Sequence, residues 1–292
     1  MRISNAALFA IPSAIWGSTW LAITFQLGSV APELSVAYRF AIASAIVAAW
    51  CKATGQPLAF PRRQHMWLLA IGATFFGFNY IGVYWAERYV TSGLVAVVFS
   101  TIVFMSPVGM RIVYREALTL RMLVAAGLGV AGVALLFLPE LSAARQGGSA
   151  ALGIGIALGA TLLAAIGNLV AIRNHRAGLP TMPATAWGML YGSLIAFAFA
   201  TLTGVPWTFE RTAGYVLSLA YLAVFGSVFA FAAYLTLLKR VGAAPSSFIS
   251  IATPVIALAL STLFEGYRWT WVSGAGLLLA VLGNWLALRG KR

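Results

Sequence analysis

The side chains that could recognise a ligand are few, and they stand inside long apolar stretches. Trp16 and Trp20 lie four apart, and so on one helical face, in the run that begins at Ala6. Phe76, Tyr80 and Tyr84 repeat that four-residue step in another run, with Asn79 beside them. Ser100, Thr101, Asn168, Ser247 and Ser250 add hydroxyls and an amide within further apolar runs, and Arg39 is the one charge well inside such a run. These types recognise by stacking, hydrogen bonding and charge pairing. Bond-making chemistry needs an acid/base pair or an activated nucleophile at depth. The sequence has no aspartate, its six glutamates flank the apolar runs, and His65 and His175 fall in linking segments. A lone Cys51 excludes an internal disulfide, and two histidines without a cysteine or aspartate cluster leave no metal site. No G-x-x-x-x-G-K-[ST] phosphate loop is present, which speaks against a nucleotide-powered pump. No cofactor is expected.

The elements that must position these residues are read from composition. Of 292 residues, 61% are hydrophobic and 9% charged, against about 25% charged in soluble domains. A bilayer core needs roughly 20 apolar residues per helix. Ten apolar runs meet that need: 6–26, 34–51, 66–86, 91–111, 120–138, 150–172, 184–203, 213–236, 243–264 and 270–288. Continuous runs, rather than ten-residue alternation, exclude a membrane β-barrel. The first run follows Arg2 like a signal peptide but is long enough to span, and it is read as retained. Ten spans sort the 19 basic residues into fourteen on the side of both termini and four on the other (Arg88, Arg145, Arg211, Arg268), with Arg39 between. The positive-inside rule then makes both termini cytoplasmic. The excess of positive charge is thereby an orientation signal, and nucleic acid is not expected as a partner.

The chain also resembles itself at half its length. Gly77, Trp85, Gly93, Pro107 and Glu116 recur as Gly226, Tyr234, Gly242, Pro254 and Glu265, each 147 or 149 residues later, and Gly127-x-Gly129 recurs as Gly274-x-Gly276. This divides the chain into five-helix repeats, 6–138 and 150–288. Five is odd, so the second repeat enters from the opposite face. The expected fold is an all-α integral membrane protein of ten transmembrane helices in two inverted-topology repeats, an architecture of secondary transporters.

At these residues the sequence resembles the drug/metabolite transporter superfamily, in its ten-span branch with two EamA-type domains. The matching stretches are Trp16-Gly17-Ser18-Thr19, Arg39-Phe40, Val241-Gly242-Ala243-Ala244, Pro254-Val255 and Glu265. The resemblance implies export of small metabolites, often amino acids, from the cytoplasm; the aromatic content looks most like the YddG-type exporters of aromatic and other amino acids, and composition does not separate these from cysteine-metabolite, threonine or purine exporters. It further implies a cavity formed by spans one, three, four, six, eight and nine, with spans five and ten at the periphery.

Each candidate has a plain structural reading beside the functional one. Trp16 and Trp20 line a cavity or pack between helices, because an indole N–H needs an acceptor in hydrocarbon. Asn79 meets substrate or makes an interhelical hydrogen bond. Arg39 is a gate or a counter-charge for a substrate carboxylate, or else it snorkels outward. Pro107 and Pro254 break helices four and nine as hinges or as static kinks. Gly17, Gly77 and Gly226 allow close helix approach, and Gly155-x-x-x-Gly159 reads as helix packing. Without an intramembrane acid or histidine, transport is expected to be facilitative. The leading expectation is alternating-access export of amino acids or related metabolites across an inner membrane. Export of drugs or organic cations by the same fold, or a passive channel, are the alternatives. The oligomeric state is left open.

Overall fold

The computed structural model describes residues 3–144, 149–241, 246 and 248–288. Among the described residues it contains ten apolar helical segments and no strand. They are α1 (Asn5–Thr24), α2 (Pro32–Ala53), α3 (Arg62–Ala86), α4 (Ser92–Tyr114), α5 (Leu120–Ala144), α6 (Ala150–Arg176), α7 (Thr181–Leu202), α8 (Ala213–Ala220, Tyr221–Phe229 and Ala230–Val241), α9 (Ile249–Phe264) and α10 (Trp271–Leu288). Seven are long and apolar enough to cross a bilayer, and Leu120–Leu136, Ile249–Phe264 and Trp271–Ala287 are shorter apolar helices. Large apolar side chains cover the outer surface, with Leu202 at 85%, Leu263 at 74% and Ile112 at 74% exposure. In water such a surface would aggregate; in lipid it is the favourable one.

Local chemistry sets the helix ends. The Ser4 side chain accepts the Ala7 N–H to start α1, and Pro32 stands at the first turn of α2, where a missing N–H costs nothing. Gly266 adopts φ +70° after α9, a left-handed turn that lets Tyr267 N–H return to the Ser261 carbonyl. Some boundaries depart from the apolar runs. The third helix begins at Arg62 instead of 66, because polar residues continue the helix beyond its apolar stretch. His65 is therefore helical, not in a loop, with Nδ1 2.8 Å from the Tyr191 hydroxyl. His175 likewise stands in the last turn of α6.

Close backbone approach holds the bundle together. A Cβ on Gly132 would meet the Ala280 nitrogen at 2.4 Å, and one on Gly283 would meet the Ala125 carbonyl oxygen at 2.7 Å, so α5 and α10 pack on each other. Gly17 of α1 faces Ile256 of α9 at 2.6 Å, and Gly192 of α7 faces Phe76 of α3 at 2.6 Å. The expected Gly155/Gly159 seam is overturned. Both glycines are exposed with no neighbour within 4 Å, while Gly153, Ala157 and Ala160 form the buried face of α6.

The symmetric irregularities are not at the prolines. Helix α4 continues through Pro107 and α9 through Pro254; α4 is interrupted instead at Thr101. The paired breaks are π-helical segments, Gly72–Phe78 in α3 and Tyr221–Phe229 in α8, again 149 residues apart. They contain Gly77 and Gly226. A π turn strands backbone carbonyls, which side chains here satisfy: Asn79 Nδ2 donates to Phe75 O at 2.9 Å, and Ser227 Oγ to Leu222 O at 2.9 Å.

Candidate functional site

A cavity of about 490 Å³ lies among the helices, within the roughly 300–1,000 Å³ typical of small-molecule sites. It runs from Arg39 and Val83 to Met122, in the first turn of α5, and Ala287, near the end of α10. It thus reaches the end of the bundle that carries the termini. Its walls come chiefly from α1, α3, α4, α8 and α9, with Asn168 from α6 and Arg39 from α2. Helices α5 and α10 contribute only their ends.

Trp16, Trp20, Asn79, Tyr80, Ser100, Asn168 and Ser250 all line this space, as do Arg39, Pro107 and Pro254. Trp16 Nε1 donates to the Gly226 carbonyl at 3.1 Å, so its ring faces the cavity while its polar atom serves the π segment of α8. The same ring packs edge-on against Phe231, with centroids 5.2 Å apart, and against Tyr234 at 5.5 Å. Trp20 pairs with Phe99 at 5.3 Å. Asn168 Nδ2 donates to Ser106 Oγ at 3.4 Å, and Ser100 returns its hydroxyl to Val97 O.

Two candidates lie outside the lining. Tyr84 is fully buried and donates to Gln26 Oε1 at 2.8 Å, and Thr101 is buried and bonded to Val98 O. Tyr84 follows the four-residue step of Phe76 and Tyr80, and Thr101 adjoins Ser100, but sequence spacing does not show where one helix face passes from cavity to packing. Gly17, Gly77 and Gly226 are packing positions behind the wall. Ser247 lies outside the described residues.

Arg39 does not snorkel. It is 2% exposed, its Nε donates to Ser227 Oγ at 3.3 Å, and its guanidinium lies over the Tyr80 ring at 4.7 Å and the Phe40 ring at 5.3 Å. Its Nη1 has no hydrogen-bond partner, and neither does Asn79 Oδ1. Both atoms are buried. A cationic donor and an amide acceptor are therefore left unpaired, and each costs stability unless a ligand or a rearrangement satisfies it.

The end of the bundle away from the termini is closed by bonds between helices. Glu265, at the end of α9, accepts the Ser92 N–H at 3.1 Å and the Ser92 hydroxyl at the start of α4; Ser261 Oγ accepts the Gly93 N–H at 3.0 Å and donates to Glu265. Gly93 permits this contact, since a Cβ there would stand 2.7 Å from Leu258 Cα. Beyond Thr101, α4 packs on α6 instead, with Gly109 against Leu169. Helices α4 and α9 thus meet at one end and give the cavity its room at the other.

Sequence reasoning missed Phe99, Phe231, Ser227 and Ser261, and marked Tyr234 only as the repeat counterpart of Trp85. Ser106 and Thr253 precede the repeat-related prolines and were visible for that reason alone.

An apolar-surfaced helical bundle with a cavity between its helices, closed at one end by interhelical bonds, has the form of a polytopic membrane transporter. The chain belongs to the EamA-like transporter family: that family's model matches twice, at residues 4–138 and 151–289. A transporter, not an enzyme, it acts on a small-molecule substrate within a lipid bilayer. Protein PagO of Salmonella typhimurium is 26% identical, over 98% of this chain and 93% of its own length. The uncharacterized inner membrane transporter YedA of Escherichia coli K12 is 28% identical, over 98% and 90%. A solved crystal structure shares the fold with a TM-score of 0.68, over 97% of each chain at 20% identity.

Proposed function

We propose that the protein is a secondary carrier of an inner membrane that exports amino acids, aromatic ones included, or closely related zwitterions by alternating access. The observation that carries this reading is that two residues lining the cavity, Arg39 and Asn79, each keep a buried polar atom without a partner, Nη1 and Oδ1. A carboxylate matches the first and an ammonium the second, while Trp20 and Phe99 offer an aromatic wall for a side chain. Arg39 is the only charged residue among the described ones that line the cavity, which disfavours organic cations. The clasp between Ser92, Ser261 and Glu265 disfavours a standing channel.

The relatives' inner-membrane setting and the basic residues at the terminal end together support a cytoplasmic opening for the cavity. Ten crossings as two inverted five-helix repeats account for the two family matches and for the paired π segments. In this reading Gly17, Gly77 and Gly226 are the points about which helices shift, with Pro107 and Pro254 lining the path. The cavity holds no acid or histidine among the described residues, so transport is facilitative.

Competition in proteoliposomes tests the substrate class. A panel of amino acids, their amides and organic cations is set against one labelled amino acid. Amino acids with a free carboxylate should compete, whereas amides and cations should not. Competition by cations without amino acids would overturn the reading.

A further inference from the structure

Glu87 ends α3 and takes no part in the cavity. Its side chain is buried at 8% exposure, and neither carboxyl oxygen has a hydrogen-bond partner. It lines a separate depression of about 820 Å³ on the closed end of the bundle, together with Glu33, Arg88, Trp85 and Pro206. The charged and titratable groups around it are Arg39 and Glu33 from α2, Glu265 from the end of α9, Tyr84 one turn back on its own helix, and Arg88 and Tyr89 just after it. Tyr215 of α8 shares its hydroxyl hydrogen bond with Ser35. Helix α6, packed against Asn79–Ala86, has no titratable residue between Ala150 and Gly167, and the end of α1 offers only Gln26.

A carboxylate with no donor is among the least tolerable groups to bury, whereas a carboxylic acid is far less costly. The clasp of Ser92 and Gly93 with Glu265 and Ser261 lies beside it, and opening that clasp would bring water to this position. We propose that Glu87 is a proton-binding switch of the outer gate: it is protonated when that end is closed and gives its proton to the external solvent when the end opens. The proton leaves and returns on one side, so external pH sets the balance of states without driving transport. This is compatible with a facilitative carrier.

Burial, aided by the nearby Glu265 carboxylate and opposed by Arg39, holds the Glu87 carboxyl well above the usual carboxylate range in the closed state. The sign follows. The closed state is fully favoured below the open-state pKa and loses ground as pH rises toward the closed-state value. One proton gives a slope of at most about tenfold in the open/closed ratio per pH unit.

The inference rests on alternating access but not on the substrate, so its test uses none. Spin labels at Tyr89 and Arg268, both exposed and flanking Glu87 and Glu265, are placed in a Cys51→Ala background and the full chain is reconstituted in liposomes. Pulsed dipolar distances are recorded from acidic to alkaline pH. The distance should lengthen as pH rises in the parent protein, stay short at every pH in Glu87→Gln, and keep the parent profile in Glu210→Gln. Infrared difference spectra of the parent should show a protonated carboxyl band titrating with the same midpoint, a readout independent of whether Glu87→Gln folds. A parent distance that ignores pH, an unchanged slope in Glu87→Gln, or no such band overturns the switch.

Discussion

Arg39 is the charged side chain in the wall of the cavity. The sequence marks it as the lone charge within an apolar run, and a charge at that depth suggests a gate or a counter-charge. Its burial was not legible, because Ser227, which holds Nε, is 188 residues away and only packing of α2 on α8 brings it near. Charge-assisted hydrogen bonds contribute about 1.5–3 kcal/mol, or roughly ten- to a hundredfold in affinity. Arg39→Gln should raise KM for a carboxylate substrate by that factor, and Arg39→Lys should restore part of it; uptake kinetics in proteoliposomes check both. Equal loss toward amides of the same amino acids would show that the guanidinium acts through structure alone. Glu87 illustrates the opposite case. From sequence it is one more glutamate beside a span, and only the neighbouring helices bury it.

Between elements, glycines decide which helices touch. Gly93 lets α4 lie against α9 at the closed end, so a larger residue must hold them apart. Gly93→Leu should shift the carrier toward the state open at that end, read as increased labelling of Ser92→Cys by a membrane-impermeant thiol reagent. Unchanged labelling would mean that this contact does not form the gate. Gly276→Leu at the α5/α10 seam, where Gly132 O is 2.7 Å from the new Cβ, should instead cost about 1–3 kcal/mol of stability with little change in gate labelling; thermal unfolding in detergent measures it. The repeat made the correspondence of α3 with α8 visible, yet the π segments were not. A π turn needs only one extra residue per turn, which leaves no mark in hydropathy. The prolines drew attention instead, and both helices pass through them.

For the whole molecule, the apolar runs predicted nearly every helix, because a bilayer span leaves little freedom in length or composition. The route of the cavity was less accessible, since it depends on which faces diverge. The charge distribution makes a further prediction about orientation: a fluorescent protein fused after Arg292 should be bright in the cytoplasm, and a periplasm-dependent phosphatase at the same place should be inactive. The reverse pattern would invert the proposed direction of transport. Alternating access itself is tested most directly by counterflow. Vesicles are loaded with unlabelled amino acid, diluted into a trace of labelled amino acid, and followed in time. The account predicts saturable uptake with a transient overshoot that needs no ion gradient. Uptake that rises linearly with concentration and never overshoots would contradict a carrier and leave a pore in its place.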